Sequence, residues 1–209
     1  MESGHEERSG RARQAMERLT FHAHAARVVL ESRIDPDLSA MVDLARAVMK
    51  VPVASISILD GDRFHFIVAS GIDAFCADRD DTICRYSMEA PGIFEVPDTL
   101  EDERLADLPY VNGDAGDFRF YASAPIRVAD GMMIGRFCLF DLVPRSLSDA
   151  QRSQLTKLAG MASRLIDGEV AARMRREGRL ERWSAEALAD QRAAITLPAP
   201  RRPLLPPRP

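Results

Sequence analysis

Residues 51–70 have the sequence VPVASISILDGDRFHFIVAS, and this stretch decides the fold class. Its first half alternates, with Ser55 and Ser57 on one face of a strand and alanine and isoleucine on the other. The motif DGD at residues 60–62 has the composition of a tight turn, and residues 63–70 alternate again. The stretch therefore predicts a β-hairpin.

A second hairpin is predicted further along the chain. Residues 118–128 and 132–141 form two strongly apolar runs, and the tripeptide ADG at residues 129–131 joins them. Glycines and prolines interrupt the segment between the two hairpins, residues 71–117, and favour loops there. Within that segment we expect short elements only: a helix at residues 83–88, a strand at residues 93–96 and a helical turn at residues 101–106.

Helices are predicted on both sides of the hairpins. Residues 11–30 contain neither glycine nor proline, and their apolar residues recur at helical spacing. Asp35 and Pro36 have the pattern of a helix start, and Pro52 ends that helix. We expect its apolar face to comprise Leu38, Met41, Val42, Ala45 and Val48.

A long helix is predicted after the second hairpin. Ser148 and Gln151 have the spacing of a capping box at its start. Its apolar stripe comprises Leu155, Leu158, Ala162, Leu165 and Ile166. The pattern continues with a thinner stripe past residue 168, which requires a partner helix for stability and indicates a homodimer.

The composition excludes several classes of protein. Among 209 residues, 46% are hydrophobic and 29% are charged, as in globular domains. The central residues 31–163 hold 13 basic and 22 acidic residues, which disfavours binding of nucleic acid. No apolar run is long enough to span a membrane, and the charged first 18 residues do not resemble a secretory signal, so a cytoplasmic location is expected.

Five sequence blocks resemble GAF sensory domains in their order and spacing. They are VPVASISILDGDR (51–63), DDTIC (80–84), EVPD (95–98), FRFYASAPI (118–126) and IGRFCLFD (134–141). The resemblance implies an α+β fold: a six-stranded antiparallel sheet with helices packed on one face and a loop-covered small-molecule pocket on the other. The loops over that pocket would be residues 71–117, and long N- and C-terminal helical arms would flank the domain.

The resemblance also implies a division of the chain into four segments. We expect an N-terminal polar segment and helical arm at residues 1–33, the GAF domain at 34–168, a C-terminal helical extension at 169–196 and a disordered Pro/Arg-rich tail at 197–209. Related domains usually precede a diguanylate cyclase or histidine kinase module, and no such module follows here. A separate signalling output protein is therefore expected.

Several chemistries known for GAF domains do not match these residues. The Asn-Lys pair of cyclic-nucleotide-binding members is missing, because Asn112 precedes glycine. None of the three cysteines precedes the histidine that usually accompanies bilin attachment. A haem would need an axial ligand, and His65 on the second strand is the sole histidine within the domain. We therefore expect no cofactor, and the spacing of the cysteines gives no metal site.

Two alternatives to a non-catalytic sensor stay open. Free methionine sulfoxide reductases share the GAF fold and use cysteines above the pocket, where Cys76 and Cys84 lie in this chain. A protein-binding scaffold is the second alternative, its pocket filled by its own side chains Phe64, Phe66 and Phe120.

The candidate ligand-binding residues are polar or aromatic and fall where the sheet meets the loops. Alternation places Ser55 with Ser57 and Tyr121 with Ser123, so both pairs can face one cavity. The full set predicted to bind a small molecule is Ser55, Ser57, Cys84, Asp98, Arg119, Tyr121 and Ser123. No pair among them suits general acid and base catalysis, which predicts a module that is not an enzyme.

Overall fold

The structure, a computed structural model, describes residues 16, 19–33, 35–128 and 131–177. The strands are β1 (Val53–Asp60), β2 (Arg63–Ser70), β3 (Phe75–Asp78), β4 (Phe94–Val96), β5 (Phe120–Val128) and β6 (Met132–Asp141). The helices are α1 (residues 19–31), α2 (Pro36–Met49), α3 (Cys84–Ser87) and α4 (Asp149–Arg176), and a 3₁₀ turn covers Arg79–Asp81.

The six strands form one antiparallel sheet in the order β3-β2-β1-β6-β5-β4. The two predicted hairpins are therefore neighbours, since β1 pairs with both β2 and β6. The alternation of β1 sets the register: Ser55 lies opposite Cys138, and Ser57 lies opposite Arg136. The predicted α+β architecture is confirmed.

The helix starts follow the predicted capping. Asp35 accepts a hydrogen bond from the Asp37 amide at 2.8 Å, directly before the proline that opens α2. Ser148 and Gln151 bond reciprocally, with the Ser148 amide donating to Gln151 Oε1 at 2.9 Å and the Gln151 amide donating to Ser148 Oγ at 3.3 Å. α2 contacts β1 and β2, and α4 bonds to β5 through Ser163.

Three local expectations were wrong or incomplete. Val48 is exposed, and Met49 is buried instead, because it lies four residues after Ala45 and continues the buried face of the helix. β3 and the 3₁₀ turn were missed, whereas the helical turn expected at residues 101–106 is present as a hydrogen bond from the Ala106 amide to the Asp102 carbonyl at 3.0 Å. In α4 the buried stripe comprises Leu155, Ala159, Ala162, Ile166 and Val170.

The chain divides into two compact units, Met1–Val170 and Ala171–Pro209. The first contains the sheet. In the second, residues 171–176 are helical, and Arg173 forms an ion pair with Glu177 at 2.9 Å. The predicted tail at 197–209 and most of the helical extension lie outside the described residues.

Candidate functional site

The face of the sheet opposite the long helices is covered by the lid, which we define as residues 79–93 and 97–119. The lid contributes Ile83, Cys84, Leu105, Leu108 and Val111 to a buried apolar cluster. The sheet contributes to the same cluster the side chains of Val53, Phe64, Phe66, Ala77, Val96, Tyr121, Cys138 and Phe140. Phe120 is not part of this cluster, so the expectation that it fills the pocket with Phe64 and Phe66 was wrong. As the neighbour of Tyr121 in a strand, it belongs to the opposite face.

Two cysteines and a tyrosine meet at the centre of this cluster. Cys84 Sγ on α3 lies 3.9 Å from Cys138 Sγ on β6, and both side chains are buried. The Tyr121 hydroxyl lies 3.4 Å from each of the two sulfurs. Ser57 Oγ is 3.6 Å from Cys138 Sγ, and Ser87 Oγ is 3.1 Å from the Tyr121 oxygen. We call these five residues the thiol cluster.

Burial and hydrogen bonding act in opposite directions on the two thiols. Burial raises the pKa of Cys84 well above its ordinary value, since a thiolate is costly in an apolar interior. Burial also acts to raise the pKa of Cys138, but hydrogen bonds from Cys84, Tyr121 and Ser57 outweigh it, and this pKa lies below its ordinary value. Cys138 is therefore the more acidic of the two thiols, and Cys84 retains its proton more readily.

A fully buried arginine lies next to the thiol cluster. Arg136 has none of its side chain exposed, and its guanidinium donates to the carbonyls of Ala90 at 2.9 Å and Gly92 at 2.8 Å. It also donates to the Ser123 hydroxyl at 3.1 Å and to the Ser123 carbonyl at 3.0 Å. Arg136 thus ties the lid to β5 and places a positive charge in the interior, where desolvation lowers its pKa.

Ser55 has a buried hydroxyl that forms no hydrogen bond with the described part of the chain. It occupies the register position opposite Cys138, on the same face as Ser57. A buried hydroxyl without a partner costs about 1–3 kcal/mol. A bound molecule or an ordered water that hydrogen-bonds to Ser55 would remove that cost.

Asp98 and Arg119 pair with each other at the end of the sheet. Arg119 Nε donates to Asp98 Oδ1 at 2.8 Å, and Arg119 Nη2 binds the second carboxylate oxygen. Hydrogen bonding from Arg119 lowers the pKa of Asp98. Of the predicted candidates, only Cys84 lines the cavity described next. Ser57, Cys84 and Tyr121 belong to the thiol cluster, and Ser55 and Ser123 lie opposite Cys138 on the neighbouring strands, whereas Asp98 and Arg119 bond to each other.

The cavity between the lid and the sheet has a volume of only about 20 Å³. Cys84 and Thr82 line it together with Phe66, Ile72, Phe75, Ile83, Tyr110, Phe118 and Phe140. The aromatic rings pack closely, with Phe66 and Phe75 stacked at 4.2 Å between centroids and Phe118 and Phe140 at 4.8 Å. The space holds one molecule of about the size of water. A larger ligand therefore requires the lid to move.

A larger cavity lies on the other side of the sheet, where α1, α2 and α4 meet β2. Its volume is about 500 Å³, within the range of small-molecule sites. Ser32 Oγ donates to Glu169 Oε1 at 3.3 Å at its edge. The remaining lining residues are Val29, Arg33, Asp35, Pro36, Leu38, Ile67, Leu165 and Ile166. None of the candidate ligand-binding residues lines this cavity.

The lid side is bonded to α4 at two places. Glu95, on the strand between the two parts of the lid, forms an ion pair with Arg152 of α4 at 2.9 Å. Its other oxygen accepts a hydrogen bond from the Leu147 amide at 2.8 Å. Arg127 of β5 donates to the Pro91 carbonyl at 2.6 Å, and its own amide donates to Ser163 of α4 at 3.0 Å. These bonds join β4 to α4, and they join Pro91 of the lid to α4 through Arg127 of β5.

The third cysteine lies at the edge of the sheet. Cys76 on β3 is exposed and lies opposite His65 on β2, with 3.9 Å between Cys76 Sγ and His65 Nε2. Arg63 Nε donates to Cys76 Sγ at 3.0 Å. The structure thus places Cys76 on the surface and Cys84 in the interior, so the two cysteines predicted to lie together above the pocket are separated.

Sequence reasoning missed Ser87 of the thiol cluster, and it missed two residues of β6, Arg136 and Cys138. The available signal was an arginine two residues before a cysteine in the otherwise apolar run MMIGRFCLF, residues 132–140. Alternation puts both on one face of the strand. A charge on the covered face of a strand indicates a specific set of partners, since an unpaired buried charge is costly.

Within the residues that the structure describes, no group of three or more histidine, cysteine or acidic side chains is placed to hold a metal ion. No helix in this part of the chain is both long enough and apolar enough to cross a membrane.

The six-stranded antiparallel sheet, with helices on one face and the lid on the other, defines an α+β domain, and the comparisons identify its family. The family model for the GAF domain matches residues 33–166. The chain therefore belongs to the GAF domain family.

Three similar proteins illustrate the range of the family. A cyclic di-GMP phosphodiesterase of Pseudomonas aeruginosa is 38% identical over 117 residues, which is 56% of this chain and 20% of that protein. The chain thus spans about a fifth of the length of this relative. A domain of a sensor histidine kinase from Sinorhizobium meliloti superposes with a TM-score of 0.53 at 18% identity, covering 70% of this chain and 99% of that domain.

The third is a type II free methionine-R-sulfoxide reductase from Thermoplasma acidophilum. It has a TM-score of 0.52 at 13% identity and covers 66% of this chain and 92% of that protein. At this level of identity the likeness of both solved structures extends to the fold alone.

Proposed function

We propose that this chain is a non-catalytic sensory module in which the position of the lid, set by a small molecule or a protein partner, is relayed through α4. The observation that carries the proposal is the double bonding of the lid side to α4, through Glu95 with Arg152 and through Arg127 with Ser163. The cavity between the lid and the sheet has a volume of only about 20 Å³, so any larger ligand that binds there displaces the lid and acts on these bonds. The match to the GAF family model supports the same role.

The relay requires a second helix or protein to receive the signal from α4. We propose that a homodimer formed through the helical arms provides it and that a separate output protein carries the response. A native mass spectrum of the freshly purified chain reports both subunit number and any retained small molecule. A dimer with added mass supports the proposal, and a bare monomer contradicts the dimeric relay.

The relay itself is tested by breaking one bond. In Glu95→Ala the ion pair with Arg152 and the acceptor for the Leu147 amide are lost. We expect faster hydrogen exchange in the first turns of α4 than in the unmodified chain. Glu103→Ala is the matched control, because Glu103 is exposed in the lid. Equal exchange in α4 for both variants would contradict a mechanical link between the lid and α4.

A cysteine-dependent reductase is the second candidate, and the 3.9 Å between the sulfurs of Cys84 and Cys138 favours it. Two thiols would reduce one methionine sulfoxide to methionine and water while forming a disulfide. Turnover of free methionine sulfoxide that is lost in Cys84→Ser would establish this activity. Absence of turnover in the reduced protein supports the non-catalytic proposal.

A protein-binding scaffold is the third candidate, favoured by the nearly filled cavity. A scaffold of this kind has no small molecule to bind. Its melting temperature would therefore stay constant across a panel of metabolites, whereas a ligand that binds the folded state raises it.

A further inference from the structure

We propose that Cys84 and Cys138 are a redox-sensitive pair, which a small hydroperoxide converts into an intrachain disulfide that fixes the lid to the sheet. This inference rests on the proposed function, because it gives the lid position a chemical regulator. It assigns a modification site to the thiol cluster and a class of reactant, a neutral peroxide.

The first argument is the placement of the two sulfurs. They belong to elements far apart in sequence, α3 in the lid and β6 at the centre of the sheet, yet they lie 3.9 Å apart. A disulfide requires about 2 Å between sulfurs, so each needs to move by roughly 1 Å. α3 is a single helical turn of four residues, so a shift of this size displaces only a short element.

The second argument is the polarity of the surroundings. The pair lies in a cluster that is otherwise apolar, but Tyr121, Ser57 and Ser87 place three hydroxyl groups around it. The same hydrogen bonds keep the pKa of Cys138 below its ordinary value against the opposing effect of burial. The thiolate is the nucleophilic form of a cysteine, so this setting favours Cys138 as the sulfur that attacks the peroxide.

The third argument is the size of the space beside the pair. Cys84 lines the cavity between lid and sheet, and this cavity of about 20 Å³ holds a molecule close to water in size. Hydrogen peroxide is of that class, whereas a disulfide such as oxidised glutathione is far larger. The geometry therefore selects a small neutral oxidant over thiol–disulfide exchange with a bulky one.

The reaction balances in two steps. The Cys138 sulfur, the more acidic of the two, attacks one peroxide oxygen and breaks the O–O bond, which gives a sulfenic acid on Cys138 and one water that carries away the thiol proton. The Cys84 sulfur then attacks the sulfenic sulfur, forms the S–S bond and releases a second water with its own proton. The two thiols lose two electrons and two protons, and the peroxide gains them.

The test uses the full chain with the surface cysteine removed, Cys76→Ser, so that both buried thiols stay and intermolecular disulfides cannot form through Cys76. After treatment with hydrogen peroxide, we expect the intact mass to fall by two hydrogen atoms and a non-reducing peptide map to link Cys84 to Cys138. Dithiothreitol should restore the mass. Oxidised glutathione should act at least about tenfold more slowly than the peroxide, because it cannot reach the pair.

Two matched variants locate the steps. In Cys76→Ser with Cys84→Ser, the sulfenic acid on Cys138 has no partner, and a dimedone adduct should appear on Cys138 when the oxidised protein is unfolded in the presence of dimedone. In Cys76→Ser with Cys138→Ser, the thiol of higher pKa remains, and Cys84 should form neither the adduct nor the link. The proposal is overturned if the Cys76→Ser chain retains two free thiols under conditions that oxidise free cysteine, or if it gains oxygen atoms on separate thiols without forming the link.

Hydrogen exchange separates this inference from the proposed function. In the oxidised Cys76→Ser chain we expect slower exchange at residues 83–93 of the lid than in the reduced chain. A disulfide that leaves lid exchange unchanged overturns the locking of the lid. Slower lid exchange with no change in α4 supports the redox pair and counts against the relay through α4.

Discussion

β6 and β1 approach each other closely at Gly135, where there is no space for a side chain. A Cβ at this position would overlap the carbonyl oxygen of Ser57 and lie 3.0 Å from the Cα of Ile58. Both of these are backbone atoms, so they yield only if the strands separate. We expect Gly135→Ala to lower the free energy of unfolding by about 3 kcal/mol, measured by chemical denaturation.

Gly92→Ala is the matched control for that substitution. A Cβ on Gly92 meets no atom within 4 Å, and the substitution leaves the Gly92 carbonyl that accepts from Arg136 in place. The control should leave the free energy of unfolding within about 0.5 kcal/mol of the unmodified chain. Equal losses in the two variants would mean that the close approach of β6 to β1 is not the cause.

Removing the hydroxyl of Ser55 and removing that of Ser57 should change the stability of the fold in opposite directions, although both residues lie on the same face of one strand. Ser55 buries a hydroxyl without a hydrogen bond among the described residues, whereas Ser57 lies 3.5 Å from the Arg136 carbonyl and 3.6 Å from Cys138 Sγ. Ser55→Ala should raise the free energy of unfolding by about 1 kcal/mol, and Ser57→Ala should lower it by a similar amount. A loss of stability in Ser55→Ala would indicate that a bound molecule or a water normally satisfies this hydroxyl.

At the scale of elements, the pair Asp98 and Arg119 fixes the connection after β4 to the start of β5. Because Arg119 lowers the pKa of Asp98 in the folded state, the pair stabilises the fold above the unfolded pKa of Asp98, about 3.9, and this stabilisation is lost as the pH falls through the lower folded pKa. Unfolding at a series of pH values from about 6 to about 3 should show this loss in the unmodified chain.

The variant Asp98→Asn isolates that effect. It lacks the ion pair at neutral pH, so its stability should fall less between about pH 5 and about pH 3 than that of the unmodified chain. The exposed Asp73→Asn serves as the control and should keep the steeper slope. If the slope of Asp98→Asn matches that of the unmodified chain, another carboxyl group controls acid unfolding, Asp102 beside Arg104 being the next with a lowered pKa.

The elements also differ in how well their local sequence predicts them. β1 and β2 were found at residues 53–60 and 63–70 because alternation and a turn motif are local signals. β3 was missed because its four residues, FCAD, contain no alternation long enough to detect, and its strand state comes from pairing with β2. A strand that depends on a distant partner leaves little trace in its own residues.

At the scale of the whole molecule, the two faces of one sheet are covered by different kinds of structure. Helices cover one face, and the lid covers the other. The sequence predicted this division through the family resemblance, and it predicted that Ser57, Cys84 and Tyr121 share a region. It did not predict that Cys84 meets Cys138, because a distance between the lid and the sheet is set by tertiary packing and not by spacing along the chain.

One buried charge, Arg136, contributes several of the hydrogen bonds that hold the lid to the sheet. All the hydrogen bonds described for the Arg136 side chain, apart from a 3.3 Å contact with Met133 Sδ, go to Ser123 and to the carbonyls of Ala90 and Gly92. A lysine keeps the charge, but its compact ammonium group cannot reach lid and sheet acceptors in the fixed directions of a guanidinium. The carbonyls of Ala90 and Gly92 would then lose their charged donor, as would the buried Ser123.

Arg136→Lys should therefore lower the free energy of unfolding by roughly 2–4 kcal/mol, since the buried acceptors of Ser123 and the two lid carbonyls lose a guanidinium donor. Hydrogen exchange should become faster at residues 83–93 of the lid and stay unchanged in α2, which packs on the other face through β1 and β2. Arg85→Lys is the control, because Arg85 lies in the lid with a partly exposed ion pair to Asp80. Faster exchange in α2 as well as in the lid would mean that the two faces unfold together and that the lid has no independent movement to relay.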